Sequence, residues 1–270
     1  MGTSTRNRGQ SGHTPLVPSW LEDDDGFNSV ADGETQTSTV IPPIADPDRF
    51  RGPRSSFTQY INGGGRNSGS MRKTISTYVR RSLKGSNNAT KRLGSARISA
   101  GKLYGVLITL SNGGGVQEIE KLLSLDHLEG LPAKQFFIRI AGFICPDGGP
   151  NNEGLARSAY FETIADQSLD NKTTEQLTSE ECESVLKNYI SRVIMENILN
   201  DIANKAILLP DDIETVSHIE DAIKQMIKQD VSDAFVEVHA NCKGITNEGA
   251  QGITDKVYQK TYELLERLSD

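Results

Sequence analysis

The chain has 270 residues, 36% of them hydrophobic and 24% charged, with a formal net charge of −7. This is the composition of one sizeable folded domain with an appendage, and it excludes fibrous and membrane-bundle classes. The three cysteines, Cys145, Cys182 and Cys242, are odd in number, widely spaced and form no CxxC pair, so neither a disulfide framework nor a metal site is expected, and a reducing, cytoplasmic location is. No apolar run follows Met1, and the longest apolar stretch, residues 136–145, is interrupted by Arg139 and too short to span a bilayer. No membrane contact is expected.

The net charge hides a segregation. Residues 1–48 carry two basic and eight acidic side chains, residues 49–117 thirteen basic and none acidic, and residues 118–270 fourteen basic and twenty-eight acidic. A carboxylate-free stretch of that length calls for an anionic counterpart, either a separate partner or the acidic C-terminal part of the same chain.

Residues 1–53 hold six of the ten prolines, many Ser, Thr and Gly, and no periodic apolar pattern. Such a segment buries too little surface to offset its ordering entropy, so a long flexible Pro/Gly/Ser-rich tail is expected. Within it lies PLVPSWL at 15–21, with Pro15, Leu16, Pro18, Leu21 and the sole tryptophan, Trp20, followed by Glu22, Asp23, Asp24 and Asp25. A proline-stiffened strip with an aromatic anchor reads as a docking peptide, or as a segment that folds back onto the protein's own body.

Residues 54–270 read as an irregular, all-α, multi-helix domain with a basic part at 54–117 and an acidic part at 118–270. Met71, Ile75, Tyr78, Val79 and Leu83 recur at helical spacing, with Lys73, Arg80 and Lys84 on another face and Gly85 placed to end the helix. A second helix is expected over about 89–110, with Gly94, Gly101 and Gly105 on a stripe without side-chain bulk; either another helix packs there closely, or the helix is broken. After the turn Gly113-Gly114-Gly115, Val116, Ile119 and Leu123 mark a short helix. Pro132 opens another through Phe136, Phe137, Ile140 and Ile144, apolar nearly all round and expected to be the central core helix. Past a loop at 146–154, Leu155, Ala159 and Ile164 begin the next helix. Thr178 with Glu181 has capping-box spacing ahead of the stripe running from Val185 to Ile202, and Ser217 with Glu220 repeats it before Ile219, Ile223 and Ile227. A final helix is expected from about Thr246 to Leu268.

Catalytic motifs fail on spacing. Gly94 followed by Gly101-Lys102-Leu103 is not a phosphate loop, and Gly63-Gly64-Gly65 with Gly69 makes no GxGxxG and reads as a hinge. His13, His127, His218 and His239 are scattered, while Asp211-Asp212 and Glu180-Glu181 sit at expected helix starts, where dipole and capping account for them. No cofactor is expected. The cations Arg72, Lys73, Arg80, Arg81, Lys84, Lys91, Arg92 and Arg97 suit phosphate contact, but Tyr60, Tyr78 and Tyr104 are too few for base stacking.

The opening MGTS, PLVPSWL at 15–21, RFRGPR at 49–54, MRKTISTYVRR at 71–81 and GSNNATKRLGSARISAGKLYG at 85–105 together resemble the QatB family of the bacterial QatABCD antiviral, anti-phage defence system. The resemblance covers about the first 105 residues. It implies a component without enzymatic activity, accompanied by an ATPase (QatA), a QueC-like enzyme (QatC) and a TatD-like nuclease (QatD). It further implies that Gly2, exposed by removal of Met1, accepts a deazaguanine carboxylate from the QueC-like partner, with Thr3, Ser4 and the 15–21 strip contacting that enzyme. The myristoylation pattern is not met, since Arg6 stands where Ser or Thr is wanted.

Overall fold

Helical periodicity runs through the described sequence and is realised as eleven α-helices. The computed structural model describes residues 48–111, 115–146, 151–167, 169, 172–202, 213–241 and 249–268. In chain order these are α1 (Arg51–Asn62), α2 (Ser68–Thr77), α3 (Ser86–Arg92), α4 (Ser95–Ser111), α5 (Gly115–Leu123), α6 (Ala133–Arg139), α7 (Ala141–Ile144), α8 (Asn151–Asp166), α9 (Ser179–Ile202), α10 (Ile213–Asn241) and α11 (Ala250–Arg267). Among the described residues the one strand-like contact is an isolated bridge between Pro132 and Thr173, so the all-α expectation holds.

The core forms around α4. Ala96, Ala100, Leu103, Val106, Leu107 and Ile108 are buried on several of its faces, and a helix apolar nearly all round needs neighbours on every side. It has them: α11, α9, α8 and α5 all pack on it, and α10 closes against α9 and α11. The expected stripe of α9 is real, with Val185, Leu186, Tyr189, Ile190, Val193, Ile194, Ile198 and Ile202 all buried. Burying each aliphatic side chain of that set contributes about 1.5–3 kcal/mol before ordering costs.

Four local expectations change. The expected helix over 89–110 is two helices, broken at Gly94, whose φ of +41° is a left-handed conformation that glycine adopts without strain; the bend keeps both Leu93 and Ala96 buried. The segment after Pro132 is likewise two short helices, α6 and α7, meeting at Ile140 (φ −85°, ψ 0°). Phe136, Phe137, Ile140 and Ile144 are fully buried, but as a wedge against α8 and α4 rather than as the central helix. Thr178 and Glu181 do form the reciprocal capping pair, the Thr178 N–H donating to Glu181 Oε2 at 3.0 Å and the Glu181 N–H to Thr178 Oγ1 at 3.2 Å. Ser217 and Glu220 do not, because α10 begins earlier, at Ile213. Both are exposed on its polar face, where S-x-x-E spacing arises without a cap. The last helix begins at Ala250.

Two boundaries matter for the site. Helix α2 continues as a π-turn, Tyr78–Ser82, and the chain then leaves through Lys84 (φ +58°) and Gly85 (φ +98°), with the Gly85 N–H donating to Val79 O at 2.9 Å. At the other end, α1 starts at Arg51 with Phe50 and Pro53 already buried, upstream of the expected boundary at residue 54.

Candidate functional site

The basic segment meets its counterpart at the C-terminal end of α9. Asp201 lies on the last turn of α9, where the Arg92 guanidinium at the end of α3 grips both its carboxylate oxygens, with Nη2 to Oδ1 at 2.9 Å. Tyr78 Oη donates to Oδ2 at 2.7 Å, and Arg54 Nε and Nη2 donate to the Asp201 carbonyl at 3.0 and 2.9 Å. Burial, then the neighbouring Tyr262 and Asp201, holds the Tyr78 pKa well above its ordinary value. Burial pulls Arg92 down, but its hydrogen bonds to Asp201 and that negative charge outweigh it, so Arg92 ends above its ordinary value. Phe50 caps the cluster, its ring 4.7 Å from the Arg49, 5.3 Å from the Arg54 and 5.5 Å from the Arg92 guanidinium carbon.

Arg97 is also engaged internally. On the first turn of α4 its Nε and Nη2 donate to the two carboxylate oxygens of Asp255 on α11, at 2.9 and 2.6 Å. Of the eight cations singled out in the sequence, Arg92 and Arg97 therefore satisfy the acidic part of the same chain. Arg72, Lys73, Arg80, Arg81, Lys84 and Lys91 are exposed along consecutive elements, α2, the π-turn, the bend after it and α3, a run of cations called the basic ridge below. Tyr60, Tyr78 and Tyr104 are all buried and offer no stacking surface. Gly2, Thr3, Ser4, Pro15, Leu16, Pro18, Trp20 and Leu21 lie outside the described residues.

A second polar feature was not singled out in the sequence. Between α9 and α10 lies a cleft of ≈ 370 Å³ that includes Lys187, Asn188, Ser191 and Lys228. A smaller one of ≈ 110 Å³ adjoins it against α8, sharing Asn188, Ser191 and Lys228 and adding Arg192 and Lys224. The helical spacing of Lys187 with Ser191, and of Lys224 with Lys228, was the available signal; both read as ordinary solvated faces until two helices are laid side by side. Among the described residues no group of three or more His, Cys, Asp or Glu side chains is arranged to hold a metal ion, and no helix is long and apolar enough to cross a membrane.

A family model described as Qat anti-phage system associated protein QatB matches residues 85–265, more than half of the chain. The chain belongs to the QatB family. Comparison with curated proteins and with solved structures gives no match. The QatB match begins at Gly85, just past the π-turn, and runs from α3 into the last turns of α11; it contains Arg92, Arg97, Asp201, Asp255 and the cleft. The ridge residues Arg72, Lys73, Arg80, Arg81 and Lys84 lie upstream of it. Membership of the QatB family gives the protein a role in the Qat anti-phage system, and with it partner proteins of that system.

Proposed function

We propose that this QatB-family protein is a non-catalytic adaptor of an anti-phage defence complex and that Gly2 is the acceptor of a deazaguanine modification made by the QueC-like partner. The observation that carries the adaptor reading is the family match across α3–α11. The ridge supports it: with Arg92 and Arg97 committed to Asp201 and Asp255, the six exposed cations form a surface suited to an acidic partner, and the ATPase and the TatD-like nuclease are the candidates. For the acceptor reading the support is chemical. Glycine carries the least hindered α-amine, and the ordinary α-amine pKa of about 8 leaves a neutral nucleophilic fraction at pH 7. That amine attacks the nucleotide-activated carboxyl, the activating nucleotide leaves, a proton is released and an amide remains. The strip at 15–21, with Trp20, raises the local concentration of the amine at the enzyme.

Mass spectrometry of the N-terminal peptide tests it. Co-expression with the QueC-like partner should add one nucleobase-sized mass to a peptide that begins at Gly2. Gly2→Ala should slow the reaction, Gly2→Glu should abolish it by blocking methionine removal, and Trp20→Ala should weaken it. An unmodified peptide from cells with the whole system and intact defence overturns the acceptor reading and leaves the adaptor.

The exposed ridge favours a second reading, a helical nucleic-acid or phosphate-binding module built on residues 49–117. It expects oligonucleotides of unrelated sequence to bind equally and with steep salt dependence; Arg92 and Arg97, already paired, would not share in it.

A further inference from the structure

We propose that the cleft between α9 and α10, continued against α8, is a binding site for a small phosphate-bearing molecule. Three helices supply it. The α9 side spans Glu180 to Met195, about 22 Å at ~1.5 Å per residue; Lys224 and Lys228 face it one turn apart on α10, and Thr163 and Asp166 close it from the last turns of α8. A volume of ≈ 370 Å³ falls in the range of about 300–1,000 Å³ usual for small-molecule sites.

Three carboxylates, Glu180, Glu183 and Asp166, and four cations line the cleft, and the pairing among them is uneven. Lys187 Nζ is held by Glu183 at 2.5 Å, and Arg192 spends both prongs on Glu162 and Asp166. Lys224 is only 3.4 Å from Asp166, an oxygen already taken by Arg192. Lys228, which lines both parts of the cleft, makes no hydrogen bond or ion pair with a described residue. Partial desolvation, then the neighbouring charges of Lys224 and Arg192, holds its pKa below the ordinary lysine value against the opposing charge of Asp166. Among the described residues, one end of the cleft thus presents an unpaired ammonium beside a weakly held one. Asn188 commits one N–H, to Ser184 Oγ at 3.3 Å, which leaves its second for a ligand oxygen.

Two ammoniums and an amide N–H suit a dianionic tetrahedral oxyanion. A single carboxylate would need only one of the cations, and compact ammoniums serve a phosphate as point charges. The remaining length of the cleft, towards Glu180, takes the body of the ester. This site is independent of Gly2 and of the basic ridge.

The test uses the full chain and inorganic pyrophosphate, titrated by calorimetry at low salt. Saturable binding is expected. Lys228→Gln should weaken it by at least about tenfold, the loss of one charge-assisted contact, while Lys228→Arg retains it and Lys73→Gln on the ridge leaves it unchanged. Because Lys228 is exposed, these variants should keep the wild-type circular dichroism. Absence of saturable binding, or equal affinity in wild type and K228Q, overturns the proposal, as does an equal loss in K73Q, which would place the anion on the ridge. A single-stranded oligonucleotide that binds through Lys228 when pyrophosphate does not also overturns it, in favour of a nucleic-acid site. None of these outcomes depends on the mass of the N-terminal peptide, so the two ideas fail separately.

Discussion

Glu196 shows how one side chain can make the stability of this protein depend on pH. It lies on α9 with Oε1 buried and without a hydrogen-bond partner among the described residues, and burial, then the charge of Glu162, raises its pKa from 4.5 to about 7 although Arg192 opposes the shift. A carboxyl whose pKa is higher folded than unfolded binds its proton more tightly in the folded state. Its contribution is therefore fully present below pH 4.5 and is lost as pH rises through about 7. Asp230 on α10 acts with the same sign: its Oδ2 is also buried and has no hydrogen-bond partner among the described residues, and burial, then Asp233, raises its pKa to about 6 against Arg72. Glu196→Gln supplies the neutral form at every pH, so it should raise the melting temperature at pH 8 and leave it unchanged at pH 4.5. Thermal melts across that interval read the effect directly; equal melting temperatures at pH 8 would mean that the carboxylate is hydrated there. Neither residue was legible in the sequence as unusual, since only the packing of α8 on α9 brings the like charge of Glu162 near Glu196.

At the scale of the element, the glycine stripe of α4 was legible as a place of close approach, but not which glycine needs it. A Cβ on Gly101 would lie 2.1 Å from Gln251 Oε1 and 3.1 Å from the Gln251 Cα on α11. The Gln251 side chain is itself fixed, its Nε2 donating to Arg97 O at 3.1 Å and to Asp255 Oδ1 at 2.9 Å. Gly105, one turn on, has no atom within 4 Å of such a Cβ. Gly101→Ala should therefore destabilise by about 1–3 kcal/mol, since overpacking and the disturbed Gln251 outweigh the gain in propensity. Gly105→Ala should stabilise by about 0.5–1 kcal/mol. Urea unfolding of the pair separates the contributions; equal effects would show that α4 and α11 adjust their spacing freely. The same comparison explains the misplaced core helix. Residues 133–144 and α4 are both apolar on several faces, and the sequence pattern does not say which of the two has neighbours all round; the short loops and the break at Ile140 decide it for α4.

For the whole molecule, the segregation of charge was legible, and so was its internal explanation, but the division of labour among the cations was not. Arg92 and Arg97 look like their neighbours in sequence, and only the long-range contacts to Asp201 and Asp255 remove them from the basic surface. The same contacts draw residues upstream of 54 into the described body. Phe50 is buried beside Tyr78, ring centroids 6.0 Å apart, under the guanidiniums of Arg49, Arg54 and Arg92. The Arg49 carbonyl accepts from Ser82 Oγ at 2.5 Å, and Pro53 is buried in the first turn of α1. A low-propensity, proline-bearing stretch such as RFRGPR reads as tail because its partners lie further along the chain, on the π-turn, α3 and α9. A chain beginning at Asp48 keeps all of these contacts and should unfold at the same urea midpoint as the full-length protein. A chain beginning at Arg54 loses Phe50, Pro53 and the carbonyl that Ser82 uses, and leaves the Tyr78 and Arg92 side of the cluster without its aromatic cover. Loss of the buried ring alone should cost about 3 kcal/mol or more, and Phe50→Ala in the otherwise full-length chain should reproduce most of the drop. Equal midpoints for the two truncations would support a boundary at residue 54 and reduce the Phe50 cluster to a surface contact.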